Sequence, residues 1–163
     1  MLSARTLLAS AIATAVVATS GTVTALADDT PFATLAGTWS GAGQVRLEGG
    51  KYEAIRCKAY YTTSSGGKGL GMAIRCASSA TKIEMRANLA YEQGRITGDW
   101  EERTYNAAGN VAGTSTGDHM TLTIDGGGLS GSLAVRLSDK TQIVSISTTG
   151  STFRGLNLSL TRG

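Results

Sequence analysis

From Lys82 to Leu89 the chain alternates without a break, and Tyr91 continues the apolar face. Ile83, Met85, Ala87, Leu89 and Tyr91 are apolar, while Lys82, Glu84, Arg86 and Asn88 are polar. Successive residues of a β-strand point to opposite faces, so this period fits only a sheet with one dry face and one wet face. The pattern recurs along the chain. Between Leu35 and Leu47 it puts Leu35, Gly37, Trp39, Gly41, Gly43, Val45 and Leu47 on one face, and Thr38, Ser40, Gln44 and Arg46 on the other. Ile55, Cys57, Ala59 and Tyr61 oppose Arg56 and Lys58; Leu70, Met72, Ile74 and Cys76 oppose Arg75; Ile96, Gly98 and Trp100 are flanked by Arg95, Asp99 and Glu101. Further strands are predicted at Met120–Ile124, Leu129–Leu137, Gln142–Ser147 and Phe153–Arg162, and Asn106–Thr116 offers the least that would pack. No stretch from Asp28 onward carries the i, i+3, i+4 stripe of an amphipathic helix.

Short glycine turns separate these runs: Glu48-Gly49-Gly50, Ser65-Gly66-Gly67, Glu92-Gln93-Gly94, Ala108-Gly109-Asn110 and Asp125-Gly126-Gly127-Gly128. With 22 glycines and Pro31 as the sole proline, the composition is that of strands and turns. The expected fold is all-β: an antiparallel meander of about eight to ten strands closed into a small barrel, which removes exposed edges, with a β-sandwich as the alternative.

The cysteines fall into this scheme. A hairpin turning on Gly66-Gly67 pairs residues whose numbers sum to 133, and Cys57 with Cys76 is such a pair. A cross-strand disulfide is expected if the compartment is oxidising. The same register sets Lys58 against Arg75, which is unfavourable. Two thiolates without His or Cys companions do not make a metal site.

The first residues predict that compartment. Arg5, an apolar run from Leu7 to Val17 and the small-residue pattern Ala25-Leu26-Ala27 have the three parts of a secretory signal peptide. The apolar run falls short of the roughly 20 residues that span a bilayer. The expected organisation is residues 1–27 as signal peptide, 28–34 as a short linker and 35–163 as one barrel domain, periplasmic or secreted. Losing Arg5 leaves a net charge one below the +3 of the whole chain, spread in alternation, which gives no grounds for a nucleic-acid partner. Aromatic residues at 6% are too sparse for the girdles of an outer-membrane barrel.

No catalytic set converges. His119 is the only histidine and falls on the polar face of its strand; Asp118 beside it is expected to point the other way. Asp99 and Glu101, next to Glu102, share an outward face near Arg95 and Arg103 and read as a solvated stripe. Gly66-Gly67-Lys68-Gly69 lacks the spacing and hydroxyl of a phosphate loop. A non-enzymatic protein without cofactor or metal is expected.

Gly37-Thr38-Trp39-Ser40 recurs as Gly98-Asp99-Trp100-Glu101, too short an echo to establish duplication, since a tryptophan behind a glycine is a common packing device in strands. Gly37-x-Trp39 opens the first strand and Arg162 closes the last, on the apolar face with Leu156, Leu158 and Leu160. In a closed barrel these strands are neighbours, so the guanidinium can lie over the indole. Here the chain resembles the calycin superfamily of lipocalins, fatty-acid-binding proteins and avidins, whose barrels often join a Gly-x-Trp to a late arginine. The second lipocalin motif and the polar residues by which avidins hold biotin are absent, so the resemblance implies a barrel and no particular ligand. The signal peptide, Gly-Thr-Trp-Ser, the hairpin cysteines and Gly-Asp-Trp-Glu also resemble small exported proteins of proteobacteria, which implies a location.

Two functions compete. In the first, Trp39, Tyr61, Met72, Met85, Leu89, Trp100 and Leu133 line an interior that holds a small apolar ligand. In the second the core is solid, and the protein is an inhibitor or interaction module of the cell envelope that docks through its loops or through the edge of Asn106–Thr116.

Overall fold

The structure, a computed structural model, describes residues 30–163; the expected signal peptide and its cleavage site lie outside them. Ten strands follow in order: β1 Gly37–Leu47, β2 Tyr52–Ser64, β3 Gly69–Ala77, β4 Lys82–Glu92, β5 Arg95–Glu102, β6 Ala107–Thr116, β7 His119–Gly126, β8 Leu129–Leu137, β9 Thr141–Thr149 and β10 Phe153–Arg162. Each pairs antiparallel with its neighbours in the chain, and β1 pairs with β10 to close the barrel. Closure leaves no edge, so the sandwich alternative falls, and with it docking by addition of a strand beside residues 106–116.

Closure also explains β6. Its inward positions are Ala107, Gly109, Val111, Gly113 and Ser115, too small to announce a dry face. The glycines are needed there: a Cβ on Gly109 or Gly113 would overlap the backbone of β7, at Asp125 and Thr121 respectively. Gly41 and Gly43 do the same for β1, where a Cβ would run into the carbonyl oxygens of Ser159 and Asn157 on β10. Inward-facing glycines let neighbouring strands approach and curl tightly.

The stretch expected to be a linker is instead a plug. Residues 31–35 form turns, β1 starts at Gly37 rather than Leu35, and Phe32 and Leu35 are 0% and 1% exposed. Phe32 meets Tyr91 edge-on at 6.4 Å, and Thr30 donates to the Gly66 carbonyl on the β2–β3 turn at 3.0 Å. The physical reason lies in Phe32 and Leu35 themselves: two large apolar side chains have no partner outside the barrel, and its end offers one.

Candidate functional site

The barrel interior is the candidate site, and its two ends differ. At the plugged end Trp39 donates from Nε1 to the Leu35 carbonyl at 2.8 Å and leans on Tyr61, with ring centroids 6.4 Å apart. Arg162, opposite Trp39 in the β1–β10 register, places Cζ 4.5 Å from the indole centroid. Although it follows the apolar face of β10, Arg162 is exposed, lying across the end of the barrel and donating to the Ala36 carbonyl at 2.6 Å and to the Thr34 carbonyl. That position meets its need for acceptors without desolvating the charge. Gly37 has φ +121°, a backbone conformation that side chains rarely allow, so glycine belongs at this position. Deeper in, the Tyr61 hydroxyl donates to Gln142 Oε1 at 2.9 Å; burial pushes its pKa up to about 12, the Gln142 bond opposing the rise in part. Ala59, Ile96 and Leu160, each 0% exposed, complete a dry core.

Further along the barrel the inward side chains are only half-buried. Met72 and Ile74 on β3 with Met85 and Leu89 on β4 form one wall; Leu133 on β8 with Val144 and Ile146 on β9 form another. In the strand order β3 and β4 lie diametrically across from β8 and β9. Two apolar walls, each keeping some accessible surface, face each other across the closed barrel.

Trp100 belongs to this half. Its neighbours in register are Ala87 and Gly109, and the edge of its ring approaches Gly127 of the β7–β8 turn. The residue is 7% exposed, and its Nε1 is the one buried side-chain N or O atom without a hydrogen-bond partner among the described residues. An unmade buried N–H costs about 1–3 kcal/mol. Two positions further along the same inward face, Glu102 is 8% exposed but fully used: Oε1 accepts from the backbone of Glu84 and Thr104 at 2.9 and 3.1 Å, and Oε2 from Tyr105 at 2.6 Å. Burial pulls its pKa upward, but the N–H groups of Glu84, Tyr105 and Thr104 outweigh it, and the carboxyl ends below its ordinary value. Glu102 and Gln142 were legible as inward positions from strand period alone; their partners were not.

Cys57 and Cys76 are bonded across β2 and β3 with Cα atoms 4.1 Å apart, and face inward. By chain entropy, closing a segment with a separation of 19 contributes about 3 kcal/mol. Lys58 and Arg75 do oppose each other, relieved by Glu84 on β4, which stands opposite Arg75 at 3.6 Å. The disulfide fits a non-reducing compartment. Among the described residues no helix is long and apolar enough to cross a membrane.

His119 requires a correction. Asp118 is a turn residue rather than a strand residue, so it is free to reach back, and its Oδ1 lies 2.7 Å from His119 Nδ1. Arg136 donates from Nε to His119 Nε2 at 2.8 Å. The imidazole therefore holds its proton on Nδ1 and spends its lone pair on a guanidinium. The bond from His119, with a smaller charge effect, holds Asp118 below its ordinary pKa. Both ring nitrogens are thus engaged on the outer surface.

No family model matches the chain, and no curated protein matches it in sequence. Solved structures do. The crystal structure of Rv2717c from M. tuberculosis superposes with a TM-score of 0.65 at 15% identity, covering 80% of this chain and 93% of that one. The S-type phycobiliprotein lyase CPES from Guillardia theta superposes with a TM-score of 0.56 at 12% identity, covering 81% and 90%. At these identities the likeness is one of fold alone, a closed antiparallel β-barrel.

Proposed function

We propose that this protein is an exported, non-enzymatic barrel that holds a small, mainly apolar ligand between the β3–β4 and β8–β9 walls. The observation that carries the reading is the pair of opposed, half-buried apolar walls, with Met72, Met85 and Leu89 on one side and Leu133 on the other. Trp39 and Tyr61 belong to the dry end and act as its floor rather than as ligand contacts. Trp100 supplies the polar handle: a ligand with a carbonyl or ether oxygen gives Nε1 the acceptor it lacks, once the side chains now packed on it make way. The engaged His119 supports the non-enzymatic part, and the disulfide supports export.

Native mass spectrometry of protein recovered from its own cell envelope is the primary test, with a retained small molecule expected. Two probes of one shape sharpen it, 2-acetylnaphthalene with a carbonyl acceptor and 2-ethylnaphthalene without. Trp100→Phe should weaken the first by about fivefold, the worth of one neutral hydrogen bond, and leave the second unchanged. Absence of both a retained molecule and saturable binding of either probe would show the interior to be solid.

A further inference from the structure

Outside the barrel, a hollow of about 890 Å³ opens across β1 to β4, lined by Arg56, Lys58, Arg75 and Lys82 with Tyr60 at its side. The register explains why it is hollow. Arg56 faces Ala77, which in turn faces Lys82, so a small residue separates two long cations on strands roughly 10 Å apart. Ser40 and Ala42 of β1 continue this low floor beside Lys58 and Arg56.

The charge is concentrated here. The lining holds four cations and one carboxylate, Glu84, so this one face carries as much net charge as the +3 of the whole chain. Glu84 is already shared, lying 3.6 Å from Arg75, 3.9 Å from Arg86 and 3.8 Å from Arg103. Arg56, Lys58 and Lys82 have no carboxylate within ion-pair distance among the described residues. Lys58 opposes Arg75 across β2 and β3, and Glu84 answers the Arg75 side of that pair, leaving Lys58 without a carboxylate among the described residues. Along the outer face of β2 the order is Tyr52, Ala54, Arg56, Lys58, Tyr60, with both tyrosines well exposed at 63% and 46%.

We infer that this face docks an extended acidic segment of another protein, independently of what the interior holds. With no free strand edge, a partner must be read by side chains. A hollow between long cations admits a single extended chain bearing carboxylates, whereas the plane of a bilayer surface does not enter it. Four cations also contact too few phosphates to hold a nucleic-acid duplex. The aromatic rings at either end of the cation pair give the backbone of such a segment a surface to lie on.

The experiment uses the full exported protein and a synthetic dodecapeptide rich in Glu and Asp. Saturable binding that weakens with added salt is expected. The neutral pair Arg56→Gln with Lys82→Gln should weaken it about tenfold, and the pair Arg95→Gln with Lys140→Gln, which removes the same charge elsewhere, should leave it unchanged. The substituted side chains are all exposed, and circular dichroism with thermal melting checks that each variant folds. Three results overturn the inference: no saturable peptide binding, equal weakening by both pairs, or equal or tighter binding to vesicles containing phosphatidylglycerol or to heparin fragments. Leu133→Trp, which fills the interior, should leave peptide binding intact, so this inference and the proposed interior ligand fail separately.

Discussion

Trp39 and Trp100 stand two residues after a glycine, on inward faces of the same barrel, and end in different surroundings. Trp39 is 1% exposed, its N–H bonded to Leu35, its face covered by Arg162 and its ring tilted against Tyr61. Trp100 is nearly as buried, but it stands between Ala87 and Gly109 with its N–H unmatched. Among the described residues, the difference comes from chain that is present at one end only. Residues 30–36 fold over the first tryptophan and bring an acceptor four residues away; at the second, the nearby turn is Gly127 and Gly128, which bring no side-chain acceptor to the indole. One tryptophan is closed over by chain that also takes its N–H, and the other is packed without a hydrogen-bond partner.

The comparison breaks first at Trp39. Trp39→Ala should cost about 3–5 kcal/mol in urea unfolding, because it removes a fully buried aromatic and strands the Leu35 carbonyl and the guanidinium together. Arg162→Met keeps the stem over the ring and should cost clearly less. The double variant should lose less than the sum of the two, since each residue's contribution runs through the other. Full additivity would mean that Arg162 and Trp39 do not cooperate in closing β1 on β10.

A smaller effect tests how the second end is held in shape. Glu102 ties the β5–β6 turn to β4 through a carboxylate whose pKa is depressed in the folded protein. The unfolded chain therefore takes up a proton first as the pH falls. The stabilisation is complete above the ordinary glutamate value of about 4.3 and is lost as the pH drops through the depressed folded one. Glu102→Gln should cost about 1–3 kcal/mol at neutral pH, because the amide meets three N–H groups with half the acceptors. It should also flatten the fall of the melting temperature below pH 4.3 or so, measured beside the parent. An unchanged acid slope would take the turn out of Glu102's control.

Much of this was open to reading in the sequence, and the parts that were not share a cause. Period-two alternation located the strands because each has one dry face, and the glycine turn at Gly66-Gly67 set the pairing of Cys57 with Cys76. It failed at β6, where closure demands inward glycines and the dry face loses its apolar signal. It failed again before Gly37, since a plug is not a strand and carries no period; Phe32 and Leu35 could have been questioned as large apolar residues in a supposed linker. Asp118 was misjudged because strand logic was extended one residue into a turn. The clustering of Arg56, Lys58, Arg75 and Lys82 needs three strands laid side by side, so no single stretch of sequence displays it.

The smallest expected effect bears most directly on the comparison. Phenylalanine keeps most of the packing of an indole and deletes its N–H. At Trp39 that leaves the Leu35 carbonyl without its donor, and Trp39→Phe should cost about 1–3 kcal/mol. At Trp100 the deleted group has no partner to abandon, so Trp100→Phe removes a buried penalty along with some contact area and should come out near zero in ligand-free protein. Both are read from urea unfolding on delipidated samples. A loss at Trp100 equal to that at Trp39 would mean that its N–H is satisfied in solution by a group of the protein itself. The distinction between a sealed end and a receptive one would then rest on the walls alone.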